Sequence, residues 1–555
     1  MAYTSGESAP FSRRRFLQIA TIGAASLSLG GVLSACAGSG ASSKAAGESA
    51  AAAKTDQVII AMGTSSEPEA GFDPMVAWGC GEHVHEPLIQ STLVVTDENL
   101  GFINDLATDY ACSDDGMMWT FTLRTDAKFT DGKPLTARDV AFTINGVINA
   151  EAAEADLSMV EKATAVSDTV VEVAMVKPHN ALLYTLAVVG IVPEHAYDET
   201  YGSNPIGSGR YMLEQWDRGQ QIILVANPDY YGEAPKMKRV VVVFMEEDAA
   251  LAAANKGEVD IAHTSPTYSA QKVAGCELLA CKSVDSRGIA LPTIAPGTMK
   301  VDKGVEYPAG NAFTCDIAVR RAINYGVDRQ KMIDNVLNGY GTPAYGVSDN
   351  TPWASPDMKI ATDSEKAKQL LEDAGWRAGS DGIRAKDGVR ASFELYYPAS
   401  DSTRQALASE FANQMKGIGI EVVTKGSGWD DIYPHEFSEG VMWGWGSNSP
   451  MEVYELNHSK GWGNFACYEN AAIDRNLEAA LATPKIEDSY DLWKKAQWDG
   501  TDGVAPEKGA ATWVWFANVD HLFFKKENLH VADQKPHPHG HGWSLVNNVD
   551  QWSWL

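Results

Sequence analysis

Residues 106–144 read LATDYACSDDGMMWTFTLRTDAKFTDGKPLTARDVAFTI, and the order of patterns in this stretch decides the fold class. Trp119-Thr120-Phe121-Thr122-Leu123-Arg124 alternates apolar and polar side chains, the period of a strand with one buried face. Ser113-Asp114-Asp115-Gly116 before it and Asp131-Gly132-Lys133-Pro134 after it are turns. Thr136-Ala137-Arg138-Asp139 then forms a capping box that opens a helix carrying Val140, Phe142 and Ile144. Strand, turn and capped helix in succession predict a mixed α/β chain.

The same alternation of periods continues outward. Val58-Ile59-Ile60-Ala61-Met62 is the first clear strand. Val240-Val241-Val242-Val243-Phe244 is apolar throughout, as a strand buried on both faces must be. Asp316 opens a helix through Ala318, Val319, Ala322 and Ile323. Asp363 caps another whose apolar face is Ala367, Leu370, Leu371 and Ala374, with Gly375 as its left-handed stop. Roughly 500 residues follow the N-terminal region, too many for one core at about 150 residues per domain.

The first 36 residues carry an address. Ser12-Arg13-Arg14-Arg15-Phe16-Leu17-Gln18 precedes the apolar run Ile19–Val32, and Leu33-Ser34-Ala35-Cys36 follows it. The basic block reads as a twin-arginine export signal, residues 1–35. The apolar run falls short of the roughly 20 residues that span a bilayer. Small residues before a cysteine form a lipoprotein cleavage box, so Cys36 is the expected lipid attachment site. Residues 36–56 are Ala, Gly, Ser, Lys and Glu with almost no large apolar side chain, a lipid-anchored flexible linker. The expected location is extracytoplasmic, tethered to the cell membrane at the cell surface or in the periplasm.

Composition removes several function classes. Hydrophobic residues make up 45% of the chain and the formal charge is -28, which becomes more negative once residues 1–35 are removed with their three Arg and one Glu. So acidic a protein is a poor nucleic-acid partner. No later stretch is long and apolar enough for a membrane span. Of seven Cys, Cys36 is assigned to lipid, and Cys276 and Cys281 are close enough in sequence to pair. Cys-x-x-Cys is absent, and so are Gly-x-Ser-x-Gly, His-Glu-x-x-His and a Gly-x-Gly-x-x-Gly in strand–helix context. No catalytic residue and no cofactor is expected.

Residues 106–144 resemble the family 5 extracellular solute-binding proteins of ABC importers, a group that includes dipeptide, oligopeptide and nickel-chelate binders. Ile191-Val192-Pro193-Glu194-His195, Asn204-Pro205-Ile206-Gly207-Ser208-Gly209-Arg210-Tyr211 and Asn227-Pro228-Asp229-Tyr230-Tyr231-Gly232 extend the likeness, although Arg210 stands where the family usually has Pro. Gly257-Glu258-Val259-Asp260-Ile261, Val327-Asp328-Arg329, Gly339-Tyr340-Gly341-Thr342-Pro343 and Ala374-Gly375-Trp376 continue it in order. The resemblance implies a type II periplasmic-binding-protein fold: two α/β lobes joined by a hinge, with an extra α/β subdomain inserted in lobe I. Residues 57–75, 203–290 and 521–555 would form lobe I, residues 76–202 the insert and residues 291–520 lobe II. It further implies a monomer that captures a peptide or peptide-like solute by hinge closure and passes it to the transmembrane subunits of a permease.

Candidate ligand residues follow on that basis. Peptide binders of the family carry an Asp that pairs with the peptide ammonium, and Asn448 lies near where that Asp is expected. A neutral amide hydrogen-bonds an ammonium without neutralising it; Glu452 is the nearby substitute. Trp445, in Trp443-Gly444-Trp445-Gly446, is a candidate aromatic platform, with core packing as the competing reading. Arg404 offers two parallel donors to a ligand carboxylate, against a solvated helix face. Trp78 sits near the expected entry to the insert. His537, His539 and His541 are the candidate ligands of the alternative reading, a nickel or metal-chelate binder, although Pro538 and Gly540 between them argue for a loop. An exported enzyme and a surface sensor are the readings from other classes.

Overall fold

A computed structural model of the protein describes residues 56–68, 71–76, 87–150, 155–302, 304–446, 448–535 and 545–555. The expected export signal, Cys36 and nearly all of the linker lie outside these residues, as do Trp78, His537, His539 and His541.

From the N-terminus the elements used below are β1 (Gln57–Met62), β2 (Ala107–Cys112), β3 (Met118–Leu123), α1 (Ala137–Asn149), β4 (Val160–Ala165) and β5 (Val170–Met175). Next come β6 (Tyr211–Asp217), β7 (Gln221–Ala226), β8 (Arg239–Phe244), α2 (Glu247–Asn255), β9 (Ile261–Thr264), β10 (Cys276–Cys281) and β11 (Ser286–Ala290). The chain continues through α3 (Ile317–Gly326), β12 (Gly341–Pro343), α4 (Ser364–Asp373), β13 (Ser392–Pro398), α5 (Ser402–Gly417), β14 (Glu421–Ser427), β15 (Gly440–Val441) and β16 (Trp443–Trp445). It ends with α6 (Met451–Asn457), α7 (Ala471–Ala482), β17 (Trp513–Val519) and β18 (His521–Lys526).

The segment that opened the sequence reading folds as its pattern dictates. β3 sends Trp119, Phe121 and Leu123 into a core that α1 covers with Val140, Ile144 and Val147. Thr136 and Asp139 make the reciprocal capping box of α1. β3 lies inside a four-stranded antiparallel sheet of order β2-β3-β5-β4. Asp316 caps α3 and Asp363 caps α4, each through its carboxylate on a backbone N–H, as read from sequence.

A seven-stranded sheet of order β10-β18-β9-β1-β8-β7-β6 draws on three distant stretches of chain. β1 pairs in parallel with β8 and β9, so these three strands end on one side. Val58, Ile60 and Met62 fill one face of this sheet, and Ala61 packs beneath α2 on the other. That two-sided burial explains why β8 is apolar from Val240 to Phe244.

The second large body holds a three-stranded parallel sheet, β14-β13-β15, and a four-stranded antiparallel one, β12-β17-β11-β16. β17 is buried on both faces: Val514 and Phe516 join the core under α3 and α5, while Trp513 and Trp515 join an aromatic cluster.

The chain crosses between the two bodies twice, at Lys282–Asp285 and at Asp520. The crossings are fastened side by side. Ser283 donates to the Val519 carbonyl at 2.6 Å, Lys282 meets Asp520 at 2.7 Å, and His521 Nε2 lies 3.1 Å from Asp285. One expected boundary is thereby corrected. Residues 286–290, assigned to lobe I from sequence, pair with β16 and β17 in the second body, because only four residues separate them from β10 and none is Gly or Pro. A second correction concerns Cys276 and Cys281, which are both free. They stand at opposite ends of one strand, at a rise of about 3.3 Å per residue, and cannot meet.

Candidate functional site

In open α/β sheets, ligands bind in the crevice outside the carboxyl ends of parallel strands. Here two parallel triplets end toward one another. β1, β8 and β9 end at Met62, Phe244 and Thr264, and β13, β14 and β15 end at Pro398, Ser427 and Val441. The turns that follow these strands form the two walls, and a hydrogen bond from Ser402 to Glu247 joins them.

The first wall carries small polar groups. Ser66 and Thr264 are fully or almost fully buried, and neither hydroxyl has a hydrogen-bond partner. Buried hydroxyls without partners are costly and uncommon. Ser265 donates to Glu247 Oε2 at 3.2 Å, and Thr64 donates to Glu246 at 2.8 Å. Burial holds the Glu247 carboxyl above the usual carboxylate range.

The second wall carries rings and cations. Asp401 caps α5 by accepting from the Arg404 N–H at 2.8 Å, and its other oxygen pairs with the Arg404 guanidinium at 3.1 Å. Arg404 is 6% exposed and its Nε has no partner. Its guanidinium stands with that of Arg287 over Gly444, where an added Cβ would lie 2.3 Å from Arg404 Nη2 and 2.9 Å from Arg287 Nη1. Glycine at 444 is what lets both cations approach the sheet. Asp285 offsets Arg287 by accepting from Nη2 at 2.9 Å.

Trp443 and Trp445 leave β16 on the face opposite Gly444, as strand alternation requires. Trp443 stacks on Phe465 with ring centres 4.4 Å apart, and on Trp429 at 5.6 Å. Trp445 lies 5.2 Å from Trp462 and meets Trp513 edge-on at 6.4 Å. The indole N–H groups of Trp443, Trp445 and Trp513 are buried without partners, and Trp462 is 58% exposed. Gly446 then turns the chain with φ +156°, its Cα against the Val284 carbonyl of the first crossing. Asn448 follows, 4% exposed.

The structure therefore brings Arg404, Trp445 and Asn448 to one wall, with Arg404 and the Trp445 ring on opposite faces of β16. Arg404 is buried and ion-paired, which overturns the solvated-helix reading. Trp445 is a core residue and a wall residue at once. Trp78, Cys36 and the three C-terminal histidines lie outside the described residues. Among the described residues, no three His, Cys, Asp or Glu converge as metal ligands. Sequence reasoning missed Ser66, Glu247, Thr264, Ser265, Ser402 and Gly444. The only signal for Ser66, Glu247, Ser265 and Ser402 was position, just past the carboxyl end of a strand; Thr264 ends its strand and Gly444 lies within one.

Residues 101–465 match the profile of the bacterial extracellular solute-binding proteins, family 5 Middle. Protein XP55 of Streptomyces lividans is 33% identical over 487 residues, covering 84% of each chain. The oligopeptide-binding protein AppA of Bacillus subtilis is 28% identical over 479 residues, 81% of this chain and 85% of that one. Its structure in complex with a nonapeptide superposes with a TM-score of 0.71 at 23% identity over 90% of this chain and 99% of that chain. NikZ of Campylobacter jejuni, solved in complex with Ni(L-His), superposes with a TM-score of 0.74 at 24% identity over 90% and 99%. The fold is that of a type II periplasmic binding protein. Among the described residues no helix is long and apolar enough to cross a membrane.

Proposed function

The chain belongs to the bacterial extracellular solute-binding proteins of family 5, and on that premise we propose that it captures a peptide or peptide-like solute between its two walls. Proteins of this family work outside the cytoplasm. They bind a solute and hand it to an ABC permease, and no bond in the solute is broken. The observation that carries the peptide reading is a buried guanidinium, Arg404, on one face of β16 and the indoles of Trp443 and Trp445 on the other. Arg404 is suited to a ligand carboxylate. The indoles are suited to a side chain, and their N–H groups to peptide carbonyls. Asn448 contributes an amide, not a charge, where an ammonium would sit. The relative named for oligopeptides and its nonapeptide complex support the reading. NikZ with Ni(L-His) supports the metal-chelate alternative, for which His537, His539 and His541 remain the candidate ligands.

The proposed architecture has lobe I on the seven-stranded sheet, residues 57–75, 203–281 and 521–555. An insert comprises residues 76–202 and lobe II residues 286–519, with the hinge at Lys282–Asp285 and Asp520. Ligand contacts that differ between the open and closed arrangements drive closure. The mature protein is a monomer tethered through lipid on Cys36 after twin-arginine export, with Trp78 contributing a further ring near the crevice.

A thermal-shift titration of the purified protein with peptide pools, nickel and nickel chelates tests the reading. Peptides raise the melting temperature. A shift with nickel or its chelates and none with peptides overturns it. For the anchor, Cys36→Ala releases the protein from the membrane fraction; unchanged retention rejects lipidation.

A further inference from the structure

Glu247 and Ser402 sit at matching places in the two bodies. Each is the first residue of a helix, α2 after β8 and α5 after β13, at the carboxyl end of a parallel strand. The Ser402 hydroxyl lies 3.1 Å from Glu247 Oε2 and 3.3 Å from Oε1. Ser265, in the turn after β9, donates to the same Oε2 at 3.2 Å, and the two hydroxyls are 3.4 Å apart. One carboxyl from the first wall is thus held by a hydroxyl of its own wall and a hydroxyl of the other. The second hydrogen bond exists only while the walls meet.

We propose that Glu247, Ser265 and Ser402 form a clasp across the crevice that positions the closed state, sets solute affinity and takes up a proton on closing. The proposal rests on the hinge-closing reading above. None of the three residues is among those assigned to the ligand.

The proton follows from what faces Glu247. The charged groups near it are Asp401, at the cap of α5, and Glu246, at the cap of α2, both acidic. Arg404 pairs with Asp401, and Thr64 bonds Glu246, so neither acid is relieved by Glu247 itself. In an open crevice the Glu247 carboxyl meets water and titrates in the ordinary carboxylate range. In the closed one burial, the largest effect, raises its pKa, the hydrogen bonds from Ser402 and Ser265 lower it in part, and Asp401 and Glu246 raise it by less. The closed state therefore holds a proton more firmly than the open one. By linkage, closure is most favoured below the ordinary range, weakens as the pH rises through the raised value, and is flat above it.

The test uses the full chain with trialanine as the probe, measured calorimetrically from about pH 5 to about pH 8. Small-angle scattering of the ligand-free protein is run in parallel. The wild type binds roughly fivefold tighter at the acidic end. Glu247→Gln, which keeps the hydrogen-bonding shape without the charge, binds at the tight level throughout. Ser402→Ala weakens binding and steepens the pH profile, because the ionised carboxyl loses a donor. A Glu247→Gln profile identical to the wild type overturns the clasp, and so does an unchanged slope in Ser402→Ala. Should trialanine bind at no pH, the peptide reading fails and scattering alone decides the clasp. Acid compaction that Glu247→Gln abolishes upholds it; compaction equal in both, or absent from the wild type, rejects it.

Discussion

The wall built on β1, β8 and β9 offers hydroxyls and carboxyls on short turns: Ser66, Glu246, Glu247, Thr264 and Ser265. The wall built on β13, β14 and β15 offers a guanidinium and a run of indoles held by a packed core: Arg404, Trp429, Trp443 and Trp445. Small groups on turns reach a solute only when the walls approach. Large rings already fixed by Phe465 and Trp513 present a surface before anything moves. The difference assigns two jobs. On the proposed reading the aromatic wall receives the solute, and the unpartnered hydroxyls of Ser66 and Thr264 complete its coordination on closing. The contacts that fasten the crossings, Lys282 with Asp520 and His521 with Asp285, lie at the junction of the two bodies.

The largest effect that tests this comparison is at Trp445. Trp445→Ala removes a ring that touches Trp443, Trp462, Phe465 and Trp513. Truncating a buried Trp costs about 3–5 kcal/mol. Chemical denaturation reports that loss, and solute binding falls with it. Trp445→Phe retains most of the stability yet still weakens binding. Full binding by Trp445→Phe makes the ring a core element only and dissolves the contrast between the walls.

Arg404 comes next. Arg404→Gln leaves Asp401 without its guanidinium and removes the anion site. Truncating one partner of a buried charge pair costs about 2–5 kcal/mol in binding. Peptides with a free carboxylate therefore lose at least about 30-fold in affinity, while carboxyl-amidated ones lose much less. Equal losses for both ligand forms place the solute's carboxylate elsewhere.

The sequence made the scaffold legible and most of the first wall illegible, for a physical reason. Strand and helix periods are local. The alternation at Trp119–Leu123, the capping box at Thr136 and the cap at Asp363 all appear as read. Asn448 could be nominated because the family resemblance places a ligand residue near it, and Trp445 and Arg404 because an indole and a guanidinium carry chemistry a ligand can use. Ser66, Glu247 and Ser402 are ordinary residues whose meaning comes from juxtaposition across 155 positions of chain or more. The crossing at Lys282–Asp285 was equally silent, because only four residues join β10 to β11 and none is Gly or Pro to mark the change of sheet.

Asn448 sharpens the comparison at a finer scale. Asn448→Asp places a carboxylate on the aromatic wall, which then bears both signs of charge. A charged hydrogen bond to an ammonium is worth about 1.5–3 kcal/mol. The variant therefore prefers peptides with a free amino terminus over their N-acetyl forms by about tenfold or more, whereas the wild type discriminates weakly. A strong wild-type preference for the free amine assigns the ammonium to another acid of the crevice.

The smallest effect belongs to Ser66. Its hydroxyl is fully buried and unpartnered in the first wall, a condition that costs the folded protein up to a few kcal/mol. Ser66→Ala deletes that group with little change of shape. If the hydroxyl serves the solute, the ligand-free variant is as stable as the wild type, or more stable by up to about 1 kcal/mol, and binds the solute several-fold more weakly. If it serves only packing, stability falls and affinity holds. The two outcomes have opposite signs in two separate measurements. Even a small change therefore decides whether the hydroxyl wall takes part in recognition or only supports the fold beneath it.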